Sequence, residues 1–135
     1  MSFEKELRAF EAKASGNFVK LLRSASFDLF SSIVMETPVD KGVLRNNWFA
    51  SIGKASGSKT TRADAGGTGT INKIESVLKG ASVAQDIYFT NNLPYAARIE
   101  FDGWSDKAPA GMVRINVLRW QRIVKANLRT LSRAG

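Results

Sequence analysis

Residues 37–48 read TPVDKGVLRNNW and separate a long helical pattern from the first strand-like pattern of the chain. Pro38 has no N–H to donate and disfavours helical geometry at Thr37, so a helix arriving from the N-terminal side is expected to end here. The Asp-Lys-Gly sequence that follows favours a turn, in which Gly42 takes a positive φ without strain. After the turn the residues alternate between two faces with a period of two, which predicts a strand over residues 43–54.

The pattern before this stretch predicts one helix over residues 3–36. Its apolar residues recur every three or four positions and form a single stripe, made of Phe3, Leu7, Phe10, Ala14, Phe18, Leu21, Leu22, Ala25, Leu29 and Ile33. Ser2 suits the N-cap, and Gly16 is the weak point of the helix, which is still expected to continue through it. Because one small core cannot cover so long a helix, its N-terminal part is expected either to pack on a neighbouring subunit or to extend into solvent.

The chain after the first strand predicts several short elements. Residues 55–69 are rich in Gly, Ser, Thr and Ala, and have the composition of a flexible loop. The patterns further on predict a helix over 70–79 with Thr70 as its N-cap, a strand over 83–90, a short helix or third strand over 95–101, and an amphipathic helix over 111–132. The apolar face of that last helix is made of Val113, Val117, Trp120, Val124, Leu128 and Leu131. Trp48 and Trp120 lie on apolar faces and are expected to be core residues.

These elements predict one α+β domain over residues 1–135. A long N-terminal helix and an amphipathic C-terminal helix are expected to pack on a small, mainly antiparallel sheet. The apolar stripes of the two helices exceed what such a sheet covers. This excess predicts contacts between subunits, and heterologous contacts of that kind end in closed rings.

Composition argues against enzymatic chemistry. The 135 residues include no cysteine and no histidine, which removes thiolate chemistry and the commonest general base. The Gly-rich residues 66–70 lack the Lys-Ser/Thr pair that completes a P-loop. A carboxylate metal site at Asp102 and Asp106 is a minor alternative, and we expect no catalytic residue, no cofactor and no metal. There is neither a secretory signal pattern nor a run of about 20 apolar residues that would cross a membrane.

The net charge of +8 predicts an acidic partner of some kind. The last helix carries much of it and no acid, and its basic face contains the candidate partner contacts Arg122, Lys125, Arg129 and Arg133. This face has three interpretations: a solvated surface, a surface that binds DNA phosphates, and a surface that binds an acidic protein. Trp104, in a Gly-Trp-Ser loop, either folds back on its own domain or anchors a partner.

Arg45 and Glu100 suggest a structural ion pair. Arginine and carboxylate form the bidentate pair best suited to set the register of a sheet. If the segments that carry these residues lie together, the pair would be partly buried and would serve folding rather than catalysis.

Two motifs carry a resemblance to a known family. The first is the T-P-V-D-x-G-x-L-R-x-x-W pattern of residues 37–48, and the second is NNLPYAARIE at residues 91–100, followed by an Ala-Pro-Ala-Gly turn at 108–111. In this order the motifs resemble the neck and tail-completion (tail-terminator-like) proteins of long-tailed bacteriophages. The matching residues are Thr37, Pro38, Val39, Asp40, Gly42, Leu44, Arg45, Trp48, Asn91, Tyr95, Ala96, Glu100, Pro109 and Gly111.

The resemblance implies a structural role in the virion. Proteins of that family form a ring, expected to be six-fold, that completes the tail and joins it to the connector of the head. The implied partners are further copies of the chain, the head-closure or connector protein and the tail-tube protein, with non-specific contact to passing DNA and none to a membrane. The implied location is the neck of the virion, and the host cytoplasm during assembly.

Two alternatives remain open at this point. A small basic protein that binds nucleic acid through its C-terminal helix would explain the charge, although no aromatic platform for bases is interleaved with the basic residues. A minor tail or tail-tube protein of the same particle would share the small α+β subunit.

Overall fold

The computed structural model describes residues 3–134, and for residues 10, 11, 12, 15 and 134 it describes the backbone alone. The N-cap predicted at Ser2 and the side chain of Phe10 lie outside this description. The elements are the helices α1 (Phe3–Glu36), α2 (Val43–Asn46), α3 (Thr68–Leu78), α4 (Ala96–Phe101), α5 (Val113–Val117) and α6 (Trp120–Ala134), and the strands β1 (Trp48–Ile52) and β2 (Ile87–Asn91). The predicted α+β class is confirmed.

The helix α1 is the longest element and runs for 34 residues through Gly16 without a break. It ends where the sequence predicts, because Thr37 leaves the helix immediately before Pro38. No helix in the described part of the chain is both long enough and apolar enough to span a membrane.

The sheet has two antiparallel strands, in which Trp48 pairs with Asn91 and Ile52 pairs with Ile87. The strand predicted over 43–54 is wrong in its first part, because residues 43–46 form the helical turn α2. Gly42 precedes this turn at φ 96°, and the Asn47 side chain donates to the Val43 carbonyl (2.7 Å), which stabilises helical rather than extended backbone.

The second strand also begins later than predicted. Residues 83–86 form turns and a bend, and β2 starts at Ile87. Residues 96–101 form a short helix, which is one of the two alternatives that the sequence left open. No third strand is present among the described residues. The sheet therefore offers much less surface to the helices than a sheet of three or four strands.

An aromatic stack joins α1 to the sheet at the centre of the core. The Phe89 ring lies between the Phe30 ring (centroids 4.2 Å apart) and the Trp48 ring (4.8 Å), and all three are nearly parallel. The rest of the core comes mainly from α1, α3 and the C-terminal segment, with the buried residues Ile33, Val34, Leu44, Ile74, Leu78, Ala96, Ile99, Ala108 and Met112. Trp48 is therefore a core residue, as predicted.

The C-terminal helix predicted over 111–132 is divided in two by a turn at residues 118–119. Past the turn, α6 runs antiparallel along α1, because Arg119 pairs with Glu36 and the Asn127 amide donates to Asp28 (2.8 Å). Trp120, predicted to be core, is only half-buried at the start of α6. The C-terminal helix reaches the sheet layer chiefly through α1.

A buried amide connects α5 to α1. Asn116 is fully buried, accepts a hydrogen bond from the Ser32 hydroxyl, and donates to Glu36 (3.1 Å) and to the Met112 carbonyl (2.7 Å). Since a buried amide must find partners, these bonds fix the position of α5 against the end of α1.

The segment between β1 and α3, residues 53–67, is irregular, as its composition predicts. The helix α3 starts at Thr68, so the predicted N-cap Thr70 lies inside the helix. Gly67 occupies the N-cap position, and the Asp64 carboxylate accepts from the Thr70 N–H and hydroxyl in the first turn of the helix (2.7 Å each). The hydrogen bond from the Thr70 hydroxyl is the largest influence on Asp64 and lowers its pKa.

Candidate interaction surfaces

The first and last residues of the first motif are joined by hydrogen bonds in the core. The Thr37 hydroxyl donates to the Ile33 carbonyl (2.6 Å) and accepts from the Trp48 indole N–H (2.8 Å). Both residues are buried. A threonine and a tryptophan at this spacing therefore connect the end of α1 to the start of β1, which is a structural role.

Arg45 holds three backbone carbonyl groups and makes no contact with Glu100. Its guanidinium donates to the carbonyls of Met35 (2.8 Å), Thr37 (3.2 Å) and Ala65 (2.6 Å). The predicted Arg45–Glu100 ion pair is wrong. The carbonyls at the C-terminus of α1 have no partners within the helix, and the arginine fork satisfies them while also holding the 53–67 segment.

Glu100 caps the C-terminal segment from a buried position. Its carboxylate accepts from the backbone N–H groups of Met112 (2.5 Å), Val113 (2.8 Å) and Arg114 (2.8 Å), and from the Arg114 side chain (3.2 Å). Burial of Glu100 raises its pKa, but these hydrogen bonds outweigh burial, and the net pKa is lowered. The charged form is thus the one that the fold requires.

Asn91 ties the second motif to the first. Its side-chain amide donates to the Leu44 carbonyl (3.0 Å), and its oxygen accepts from the Leu93 N–H (3.2 Å). The remaining residues of the second motif, Tyr95 and Ala96, lead directly into α4. Both motifs are therefore brought together at one junction, and their polar residues are used in hydrogen bonds that hold the backbone.

A groove of about 460 Å³ opens beside this junction and is the first candidate surface. Both motifs line it, together with the loop that carries Trp104, and its residues are Pro38, Val39, Asp40, Lys41, Gly42, Val43, Leu44, Tyr95, Ile99, Trp104, Ser105 and Lys107. Trp104 folds back in part: its ring meets Tyr95 edge-on (centroids 6.3 Å apart) and lies 5.6 Å from the Arg98 guanidinium. It is still 59% exposed, so the interpretation in which it anchors a partner stays a prediction.

The second candidate surface is the basic stripe, which consists of Arg122, Lys125, Arg129 and Arg133 on α6. All four are exposed and recur at spacings of three and four, so they share one face of the helix. The opposite face, with Ile123, Asn127 and Leu131, is the half-buried one. Among the described residues, none of the four basic side chains has an ion-pair partner, whereas the nearby Arg114 and Arg119 are paired with Glu100 and Glu36.

The third candidate surface is the N-terminal arm, defined as residues 3–18 of α1. Every side chain that is described in this range is exposed. With residue 127 beside residue 28, the described part of α6 lies along the second half of α1 and not along the arm. Phe3 (75% exposed), Leu7 and Phe18 thus form an apolar stripe that the described residues leave uncovered.

The fourth candidate surface is the apolar groove, a depression of about 820 Å³ between α4 and the α5–α6 turn. Leu118 (82% exposed), Phe101 (66%) and Val117 line it. Sequence reasoning did not single out this site: it placed Val117 on the core-facing stripe and passed over Phe101 and Leu118. The available signal was Leu118 itself, an apolar residue outside the stripe predicted for the last helix.

The described residues contain no cluster of three or more side chains that could hold a metal ion, and Asp102 and Asp106 belong to no such group.

Comparison of the chain with protein-family models, with curated proteins and with solved structures finds no match. The features that bear on function are therefore the four surfaces and the two sequence motifs.

Proposed function

We propose that this protein is a structural subunit of the head–tail junction of a long-tailed bacteriophage, where a ring of its copies completes the tail and joins it to the head connector. The observation that carries the proposal is the N-terminal arm, whose apolar stripe needs a second molecule to cover it. A frayed or solvated arm gains nothing from Phe3, Leu7 and Phe18, whereas an arm that packs on a neighbour buries them.

The two motifs support an assembly role rather than catalysis. Their polar residues Thr37, Arg45, Asn91 and Glu100 all engage backbone or core groups, so they hold the shape of the junction. The groove beside them presents Trp104, an aromatic residue of the kind that anchors protein interfaces. A neighbouring virion protein, the connector or the tail tube, would dock on this side of the ring, with loops and termini adjusting on contact.

The test begins with the mass of the purified chain in solution, measured by analytical ultracentrifugation at low and high salt, and with electron microscopy of the same sample. We expect a closed ring of fixed subunit number, six in the simplest case, that persists at high salt because its arm contacts are apolar. Addition of the rings to isolated tails should give tails that end in one extra ring. A chain that stays monomeric and joins neither tails nor connectors would overturn the proposal.

A second candidate function is binding of duplex nucleic acid through the basic stripe. The observation in its favour is that four exposed cations lie on one helix face and none is paired within the described residues. Four phosphate contacts would make the logarithm of the DNA association constant fall with the logarithm of salt concentration with a slope of about −3.6.

Fluorescence anisotropy with a short duplex measures that slope. If the stripe binds DNA, Arg122→Gln combined with Arg129→Gln should make the slope about two units shallower, while Lys54→Gln, outside the stripe, should have little effect. A slope that stays equal in all three proteins would exclude the stripe as the site.

A further inference from the structure

The arm and the apolar groove are the two largest groups of uncovered apolar side chains in the described part of the chain. The arm contributes Phe3, Leu7 and Phe18, and the groove contributes Phe101, Val117 and Leu118. One is a protruding helix with a single apolar stripe, and the other is a depression. An amphipathic helix that places residues at i and i+4 into an apolar depression is a recurring mode of protein recognition.

The arm cannot fill the groove of its own chain. The groove lies at the C-terminal end of α1, because Arg119, next to Leu118, pairs with Glu36. The rise of 1.5 Å per helical residue places Phe18 about 27 Å and Phe3 about 50 Å away from that end along the helix axis. Any molecule of this chain that docks its arm in such a groove must therefore use the groove of another copy.

Charges of opposite sign lie beside the two surfaces. Glu4 and Glu6 are exposed beside the apolar stripe of the arm. Arg114, which also pairs with Glu100, lies at the edge of the groove, with its guanidinium 5.2 Å from the Phe101 ring. Arg122 follows Leu118 by four positions in the sequence. The acidic residue Asp102 lies on the rim of the groove, and Arg8 on the arm carries the opposite charge.

We propose that the N-terminal arm of each subunit docks in the apolar groove of the next subunit, with Phe3 and Leu7 packed against Phe101, Val117 and Leu118. This inference rests on the proposed function, because it specifies how one copy joins the next. The contact is heterologous, since donor and acceptor are different surfaces at opposite ends of α1. Repetition of one such contact produces a ring when the rotation between subunits closes, and a filament otherwise.

Two variants with one defect each provide the test. The donor variant combines Phe3→Gln and Leu7→Gln, and the acceptor variant combines Phe101→Gln and Leu118→Gln. All four residues are exposed and glutamine is a good helix former, so both variants should fold and melt as the wild type does. Lys13→Gln on the arm and Val83→Gln, an exposed apolar residue away from the groove, are the matched controls.

Analytical ultracentrifugation of each protein, and of a mixture of the two variants, measures the result. We expect the wild type and both controls to form the same large assembly, and each variant alone to be monomeric with a dissociation constant at least about tenfold weaker. The mixture should form a dimer with one copy of each variant and nothing larger. In that dimer the intact arm of the acceptor variant occupies the intact groove of the donor variant.

Three results would overturn the inference. An acceptor variant that assembles like the wild type means that the arm docks elsewhere, and the ring proposal would survive. Two variants that remain monomers when mixed at up to about 100 µM mean that arm and groove do not bind each other. A wild-type chain that remains monomeric at that concentration contradicts both the arm–groove contact and self-assembly into a ring.

Discussion

Gly42 turns the chain from α1 into α2 in a conformation that leaves no room for a side chain. Its φ is +96°, and a Cβ atom there would lie 2.4 Å from the backbone nitrogen of Ala65. We therefore predict that Gly42→Ala lowers the free energy of unfolding by about 2–3 kcal/mol, measured by urea denaturation. Gly57→Ala, where a Cβ meets nothing within 4 Å, is the control and should change stability by less than about 0.5 kcal/mol. Equal effects at both positions would contradict the role of the turn.

Glu100 must be ionised to accept all the hydrogen bonds that hold the start of α5. Both carboxylate oxygens accept backbone N–H groups, so the NH₂ of a glutamine would face at least one of these donors without an acceptor. We predict that Glu100→Gln destabilises the protein by about 1–3 kcal/mol at neutral pH.

The pH dependence of that loss checks the cause. Because the pKa of Glu100 is lowered in the folded state, its contribution is complete above its ordinary value of 4.5 and disappears as pH falls through the folded pKa. The difference in unfolding free energy between wild type and Glu100→Gln, followed by urea denaturation at several pH values, should shrink below about pH 4.5. Asp64 is present in both proteins, so its contribution to the pH dependence cancels in this difference. A difference that does not change as the pH falls would exclude the charge of Glu100 as the cause of the destabilisation.

Residue types at the junction could be predicted from the sequence, but their partners could not. The need for glycine at position 42 follows from local turn chemistry, and burial of Trp48 follows from its apolar neighbours. The partners of Arg45 and Glu100 depend instead on where distant backbone ends lie. Arg45 binds carbonyls at the end of α1 and Glu100 binds N–H groups of α5, and neither set of orphan groups is visible before the helix ends are placed.

At the scale of elements, the prediction is good for long patterns and poor for short ones. The stripe of α1 spans many turns and identifies the helix from residue 3 to residue 36. The segment 43–46 is too short for a period of two to be distinguished from a single helical turn. The segment is helical because the αL glycine Gly42 precedes it and the Asn47 side chain caps its end. The alternating pattern of the sequence does not reveal this capping arrangement.

The irregular segment 53–67 is tethered by a buried amide. Asn47 donates to the Thr60 carbonyl (2.9 Å) and accepts from the Thr60 N–H (3.0 Å), with no exposure to solvent. We predict that Asn47→Ala destabilises the protein by about 1–3 kcal/mol, because it leaves buried backbone groups unpaired. It should also speed tryptic cleavage after the exposed residues Lys59 and Arg62.

Mass spectrometry of the first tryptic fragments measures that effect. Asn72→Ala, an exposed asparagine on α3, is the matched control and should be cleaved at the wild-type rate. A segment that is cleaved equally fast in wild type and in Asn47→Ala would mean that the amide does not hold it.

At the scale of the whole molecule, the α+β class and the excess of apolar helix surface are both visible in the sequence. The location of that excess apolar surface along α1 could not be predicted from the sequence. It depends on where α6 docks on α1, which is from about residue 36 back past residue 28, and on the turn at 118–119, where Leu118 is exposed. Both features arise from tertiary packing, so a stripe that appears uniform in sequence becomes part core and part exposed arm.

The described side chains of residues 3–18 are all exposed, so none of them belongs to the core of its own domain. We therefore predict that a chain starting at Val19 folds normally, with a melting temperature within about 3 °C of the wild type, which corresponds to less than about 1 kcal/mol. The same deletion should abolish self-assembly, because it removes Phe3, Leu7 and Phe18 together. Melting is compared at low protein concentration, since association stabilises the wild type by mass action. A truncated chain that unfolds more than about 10 °C earlier under those conditions would show that the arm packs on its own domain, and the arm would then be unavailable to a neighbour.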